Sequence, residues 1–185
     1  MLVLGGLCQA QIATDISQYQ VERLDDEIVV SAQVVFELPA AVEEALLKGI
    51  PMFFVTEADV MRERWYWYDK KIVSAQRHMR LAYQPLTRRW RLNVTPGSGR
   101  DLNLGFTLNQ SFESLEEALA AIKRISRWKI ADAAELDSGV KYKVGFSFRL
   151  DQSQLPRPLQ IGALGQSDWD ITATASTTLM LATLK

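Results

Sequence analysis

The chain has 185 residues, of which 48% are hydrophobic and 23% are charged, and its formal net charge is -1. This composition is typical of one globular domain with a buried core, and it excludes a largely disordered chain. A net charge close to zero gives no general attraction for nucleic acid or for an anionic membrane surface. We therefore expect no nucleic-acid partner.

The first ten residues resemble the end of a cleavable secretory signal. Leu2–Leu7 is apolar, and Cys8 and Ala10 place small residues at the two positions that a signal peptidase recognises. No positive segment precedes the apolar run, so we expect the leader to begin further upstream. We expect cleavage after Ala10 and a periplasmic mature chain. Two alternatives stay open: lipid attachment at Cys8, which the large residue before it disfavours, and a cytosolic chain.

The same segment limits the chemistry of the mature chain. Its apolar run is far shorter than the ~20 residues that cross a bilayer, so we expect no stable membrane span. Cys8 is the only cysteine, and its removal leaves no disulfide and no thiolate site. We predict a signal remnant at 1–10, a single β-rich domain at 11–170, and a C-terminal tail or edge strand at 171–185.

Apolar and polar residues alternate with period two along much of the chain, as they do in half-buried β-strands. The predicted strands are 27–38, 52–60, 73–83, 89–95, a strand through Leu104, Phe106 and Leu108, a return to the sheet at 127–131, and 142–150. A turn at Gln84-Pro85-Leu86-Thr87 joins two of them in a hairpin.

Two helices interrupt the strands. Pro39 predicts the start of a helix at about 39–48, and Gly49 predicts its end. Ser114 and Glu117 have the spacing of a capping box and predict a second helix at about 115–126. The predicted fold class is mainly β (α+β): an antiparallel, two-layer, sandwich-like arrangement with two connecting helices.

No catalytic or metal-binding signature emerges from the sequence. His78 is the only histidine, and no motif supplies it with a nucleophile and an orienting acid. The adjacent carboxylate pairs, such as Asp25-Asp26 and Glu43-Glu44, do not have the separation that glycoside hydrolysis requires. We expect no enzyme activity, no metal and no cofactor.

One segment is unusually rich in aromatic and basic residues, a combination that is enriched in protein interaction hot spots. Four consecutive aromatic residues place rings on both faces of an extended chain, so one pair is either covered or available to a partner. A strand buried on both faces is the alternative explanation. The interaction candidates in this segment and nearby are Arg62, Arg64, Trp65, Tyr66, Trp67, Tyr68, Lys70, Arg89 and Arg91.

Charge is distributed unevenly along the first half of the chain. Residues 15–62 are mainly acidic, and residues 64–91 are mainly basic. Opposite charges on neighbouring strands stabilise a sheet. We therefore predict that the two regions pair across a sheet.

Five sequence blocks resemble the proteobacterial family named domain of unknown function 4390. The blocks are FELPAAVEEALLKGIPMFF (Phe36–Phe54), RWYWYDKK (Arg64–Lys71), YQPLTRRWRL (Tyr83–Leu92), SFESLEEALAAIKRISRWKIADA (Ser111–Ala133) and LDQSQLPRPLQIGAL (Leu150–Leu164). The resemblance implies an exported protein with no assigned activity, in a family whose genes often neighbour that of a membrane sensor histidine kinase. The Thr-rich segment after Ile171 departs from the family pattern.

Two functions follow as hypotheses. The first is a non-enzymatic periplasmic interaction domain with an envelope protein partner, an accessory to an envelope sensor kinase. The second is a carrier or sensor that binds an apolar ligand between its sheet layers.

Overall fold

Nine strands form in the part of the chain that the structure, a computed structural model, describes: residues 14–62, 70–97, 107–163 and 169–181. In chain order the elements are β1 (Asp15–Leu24), β2 (Glu27–Val35), α1 (Ala40–Leu47), β3 (Met52–Arg62), β4 (Lys70–Gln84), β5 (Arg89–Pro96), β6 (Leu108–Phe112), α2 (Leu115–Lys123), β7 (Arg124–Asp132), β8 (Lys141–Leu150), α3 (Arg157–Ala163) and β9 (Thr172–Met180). Short 3-10 turns lie at Ala133–Glu135 and Gln152–Gln154.

The strands form two sheets, in which all neighbouring strands are antiparallel. The small sheet has the order β1-β2-β7, and the large sheet has the order β6-β5-β4-β3-β8-β9. Apolar residues of both sheets share one buried cluster. The predicted mainly β fold with two antiparallel layers is confirmed.

The layers are held together by aromatic side chains at the centre of this cluster. Phe36, which follows β2, lies with its ring centroid 5.5 Å from that of Phe148 and 5.9 Å from that of Phe54. All three side chains are almost completely buried. Tyr19 links β1 to β8, since its hydroxyl donates a hydrogen bond to the carbonyl of Val144 at 3.1 Å.

The first strand, β1, is absent from the sequence prediction, and its irregular backbone explains why. Gln18 has a positive φ of 51°, and the pairing with β2 shifts register between Ser17 and Gln20. A bulge of this kind inserts an extra residue and breaks the period-two alternation. Ile16 and Tyr19 therefore pack against the core although they are separated by an odd number of positions.

Both predicted helices are present, with one boundary corrected. Pro39 precedes α1 as its N-cap, and Gly49 follows it with a φ of 82°. Ser114 caps α2 by accepting a hydrogen bond from the backbone of Glu117. The helix ends at Lys123 rather than near 126, because residues from Arg124 onward pair with β2.

Two further predictions concern the edges of the large sheet. The strand predicted through Leu104, Phe106 and Leu108 is found only from Leu108 onward, as β6, and the first two residues lie outside the described ranges. Leu108 is exposed, which contradicts a buried alternation there. At the opposite edge, β9 pairs with β8 along nearly its whole length. Within the described ranges, no helix is long and apolar enough to cross a membrane.

We expect the aromatic cluster to dominate the stability of the fold. Phe148→Ala removes a ring that is fully buried between Phe36 and Phe54, and it should lower the free energy of unfolding by about 3–5 kcal/mol. Urea denaturation monitored by circular dichroism measures this loss. Leu86→Ala is the matched control, because Leu86 is fully exposed at the hairpin tip and its truncation should change stability by less than about 0.5 kcal/mol. Equal effects of the two variants would contradict the assignment of the core.

Candidate functional site

The hairpin of β4 and β5 has arms of unequal length. β4 has 15 residues and β5 has 8. β5 pairs with β4 only from Gln84 back to Arg77, which lies opposite Pro96. The last bond of the hairpin runs from the Gly97 N–H to the Gln76 carbonyl at 2.8 Å. Among the described residues, no strand pairs with this edge of β4 before Gln76.

The backbone of Ser74 points toward this open edge. The N–H and C=O groups of one residue in a strand point to the same side, and residues two apart share that side. The carbonyl of Gln76 points toward β5, so the N–H and C=O of Ser74 do so as well. The Ser74 hydroxyl donates to Glu57 Oε1 at 3.4 Å, on the outer face of the sheet.

A second open edge faces the first. β7 is the last strand of the small sheet and pairs only with β2 in the described part of the chain. A groove of about 720 Å³ separates the two edges. The lining residues belong to 71–76 of β4, to 128–132 of β7, and to Pro96 and Glu135. We call this the β4–β7 groove.

Apolar and polar side chains line the β4–β7 groove in similar proportion, and both lysines among them are paired with carboxylates. Lys71 Nζ lies 2.8 Å from Asp59 Oδ2, and this hydrogen bond raises the pKa of the lysine. Lys129 Nζ lies 2.8 Å from Asp132 Oδ1 and 3.0 Å from Glu27 Oε1, and these bonds raise its pKa. The lysine charges are therefore already compensated within the domain.

Arg77 is a charged side chain on the inner face of β4. Its guanidinium carbon lies 5.1 Å from the ring centroid of Trp128, which lines the groove. Burial lowers the pKa of Arg77, because desolvation disfavours the charged form. Within the described ranges, no carboxylate lies within 4.0 Å of this guanidinium. The cation–π contact with Trp128 is the stabilising interaction that the structure shows for this guanidinium.

The interaction candidates predicted from the sequence fall into separate places. Arg62 ends β3, where its guanidinium lies 3.1 Å from Asp137, and Lys70 is its partner on β4. Arg89 and Arg91 lie on β5 near the other end of β4, about 46 Å away along the strand. Arg89 pairs with Glu113 at 3.2 Å. The structure does not bring these two pairs together, and the remaining candidates lie outside the described residues: Arg64, Trp65, Tyr66, Trp67 and Tyr68.

Strands β3 of the acidic region and β4 of the basic region are neighbours in the large sheet, and among the described residues one side chain joins them by ion pairs. Lys71 on β4 contacts Asp59 and Glu57 on β3. The arginines of β4 behave differently, since Arg77 lies over Trp128 and Arg80 over Phe53. Arg91 lines a shallow hollow of about 330 Å³ on the outer face. In the described ranges, no three His, Cys, Asp or Glu side chains are placed to hold a metal ion.

Sequence reasoning missed the groove, although two features of the sequence indicate it. The predicted strand 73–83 is longer than its hairpin partner 89–95, so part of it has no partner within that hairpin. Arg77 also interrupts the inward apolar series of β4, which otherwise consists of Val73, Ala75, Met79, Leu81 and Tyr83. A charged residue at an inward position of a strand is the sequence feature that indicates a site here.

Comparison with known proteins identifies one family. Residues 12–179 match the model of the family described as Domain of unknown function (DUF4390). The resemblance seen in the five sequence blocks is confirmed. The match includes most of β9, which corrects the expectation that the chain departs from the family pattern after Ile171. No curated protein and no solved structure matches the chain.

We expect Gly97→Ala to have a small effect where β5 ends beside the groove. A Cβ at this position would lie 2.5 Å from His78 Cδ2 and 2.6 Å from Nε2, but His78 is exposed and its ring can turn away, so the variant should lose less than about 1 kcal/mol of stability. In the double variant Gly97→Ala/His78→Ala the ring is absent, and this small loss should disappear relative to His78→Ala alone. Thermal unfolding measures both effects.

The matched control for this prediction is Gly145→Ala. Its Cβ would meet only Met61 Cε, at 3.7 Å, within ordinary contact distance. A loss by Gly97→Ala much larger than that by Gly145→Ala would contradict the free turning of the His78 ring.

Proposed function

We propose that this chain, which belongs to the DUF4390 family, is a non-enzymatic protein interaction domain that receives an extended segment of a partner protein in the β4–β7 groove. One observation carries the proposal: two unpaired strand edges face the same groove in the described part of the chain. Each edge presents backbone donors and acceptors that an added strand can satisfy.

Unpaired edges have a well-defined chemistry. A strand edge carries a row of N–H and C=O groups and acts as a template for another extended chain. Folded domains use this property to bind partners by strand addition, in which backbone hydrogen bonds give affinity and side-chain pockets give specificity. The groove adds apolar contacts to such an edge, since Ile72, Ala75 and Ile130 line it.

The dimensions of the groove suit a short segment. The lining part of β4, Lys71–Gln76, spans about 17 Å at the rise of an extended strand. A segment of about five to seven residues covers this length. Alternate side chains of the segment would face the groove, and the others would face solvent.

The compartment and the partner are part of the proposal. The apolar leader before Gln11 supports export, and the family resemblance implies a periplasmic role beside an envelope sensor kinase. An exported segment of an envelope protein is therefore the proposed partner.

The alternative hypothesis, an apolar ligand between the layers, stays a prediction. Packed rings of Phe36, Phe54 and Phe148 fill the central interlayer space. The β4–β7 groove, by contrast, opens at the margin of the layers. This difference favours a segment bound at an edge over a ligand enclosed at the centre.

We expect Ser74→Pro to abolish binding of extended peptides. Proline removes the N–H that points into the groove and leaves the β3 side of the strand intact. Random decapeptides selected by display on the wild-type domain are the probes, and fluorescence anisotropy measures their affinity. Binding to Ser74→Pro should fall at least about tenfold, and the Ser74 amide should gain protection from hydrogen exchange in the wild-type complex.

Ser74→Ala is the matched control. It loses the hydroxyl and its bond to Glu57 but keeps the backbone N–H, so it should bind the selected peptides as the wild type does. Thermal unfolding establishes that both variants are folded. Peptides that bind Ser74→Pro and the wild type equally well, or a selection that enriches none, would contradict strand addition on β4.

Export makes a separate prediction. The mature protein recovered from the periplasmic fraction should begin at Gln11, because signal cleavage is expected after Ala10. Intact mass and N-terminal sequencing measure this directly. A chain that retains residues 1–10 in the cytosolic fraction, or a lipid adduct on Cys8, would overturn the assignment.

A further inference from the structure

We propose that the segment received by the β4–β7 groove carries a carboxylate, and that Arg77 binds it. This inference rests on the proposed function, and it adds the chemical character of the partner. The groove would then select an extended acidic segment from among the many chains that can form a strand.

The position of Arg77 makes it unusual among the charged groups of the domain. The other inward side chains of β4 pack in the core or against it, whereas Arg77 brings a full positive charge to the same face. Two exposed arginines contact carboxylates, Arg62 with Asp137 and Arg89 with Glu113, and the exposed Arg80 lies over Phe53 in reach of solvent. In the described part of the chain, Arg77 has only the face of Trp128.

A desolvated cation without an acidic partner destabilises the free domain. Removing a charge from water costs free energy, and a paired carboxylate is the usual compensation. The lowered pKa of Arg77 has the same cause, namely burial. Stacking on Trp128 offsets part of this cost. A carboxylate supplied from outside would satisfy a guanidinium that has no anion among the described residues.

The strand geometry brings such a carboxylate within reach. A segment paired with the open edge of β4 continues the line of β5, which ends opposite Arg77 and Gln76. The residue of the segment beside Ala75 faces inward and is the diagonal neighbour of Arg77. Diagonal neighbours lie ~7–8 Å apart at Cα, within reach of an arginine and an acidic side chain.

Arg77 does not line the groove itself but lies against its Trp128 wall, and charge complementarity favours it over the two lysines that do line the groove. Lys71 and Lys129 already contact carboxylates at 2.8 Å. Lys129, on the β7 side of the groove, is held by both Asp132 and Glu27. The acid is therefore expected at the end of the groove where Arg77 and Trp128 lie.

Matched peptide pairs test the inference. Decapeptides selected on the wild-type domain are resynthesised with each Asp or Glu replaced by Asn or Gln, and anisotropy measures both members of a pair. The acidic member should bind the wild type roughly ten- to a hundredfold more tightly. This preference should shrink with added salt, because the pair is only partly buried.

Arg77→Met provides the decisive variant. Methionine keeps much of the apolar stem and removes the charge, so the acidic and amide peptides should bind it equally. The variant should also unfold at the same temperature as the wild type or at a higher one, since the desolvated charge is gone. A purely structural role for Arg77 predicts the opposite, a loss of stability without any change in the acid preference.

Arg80→Gln is the matched control, because Arg80 lies on the same strand with its side chain on the outer face, over Phe53. It should keep the full preference for the acidic peptide. If Arg77→Met does not fold, Arg77→Gln and the salt dependence of the wild type carry the same test.

The outcomes separate the inference from the proposed function. Peptides that depend on the Ser74 N–H but show no acid preference, or a preference that survives Arg77→Met, would overturn the inference and leave strand addition intact. Peptides indifferent to Ser74→Pro would overturn both. A dimer of this chain that Ser74→Pro dissociates, with no peptide bound, would identify a second copy as the occupant and overturn the acidic partner.

Discussion

The turn between β4 and β5 sets the register on which the open groove depends. Gln84 pairs with Arg89 across four intervening residues, and each further pair follows from that one. Pro96 then falls opposite Arg77, and as the last residue of β5 it lacks an N–H to extend the ladder. Gly97 adds one more bond to Gln76. Because of this register, the first part of β4 has no partner on its β5 side among the described residues.

The inward face of β4 carries apolar core residues together with one charged side chain, Arg77. The apolar residues join the aromatic cluster around Phe54 and Phe148, which holds the layers together. Arg77 lies on the same face but contributes charge instead of apolar contact. Polar groups that burial disfavours are commonly kept at sites where function requires them. Under the proposed function, Arg77 would serve recognition, and its apolar neighbours Met79 and Leu81 serve packing.

Much of the fold could be predicted from the sequence, because a strand with one buried face has apolar residues at alternate positions. β8 alternates along its whole length, and β3, β4 and β5 alternate along most of theirs. β1 could not be predicted, since the bulge at Gln18 shifts the pattern by one position. The end of α2 was misplaced because Ile125 fits both a helical stripe and a strand, and only the pairing with β2 decides between them.

The candidate site was less predictable for a different reason. Aromatic and basic residues are visible in the sequence, but a groove forms where a strand lacks a partner, and that is a property of the sheet order. Arg62 and Arg89 are both arginines that the sequence groups as interaction candidates, but they lie near opposite ends of β4. Trp128 meets Arg77 across two sheets and 51 positions of sequence, and no local pattern predicts that contact.

The contact between β1 and the β8–β9 side of the large sheet shows that the two sheets already meet at one margin. Tyr19 ties β1 to β8, and β1 runs beside β9, so this margin is one seam between the sheets. The β4–β7 groove is the opposite seam. A strand bonded to both of its edges would join the sheets into a continuous wall and turn an open sandwich into a closed barrel. Binding would then be coupled to the global stability of the domain by mass action, and the empty and occupied forms would differ in how cooperatively they unfold.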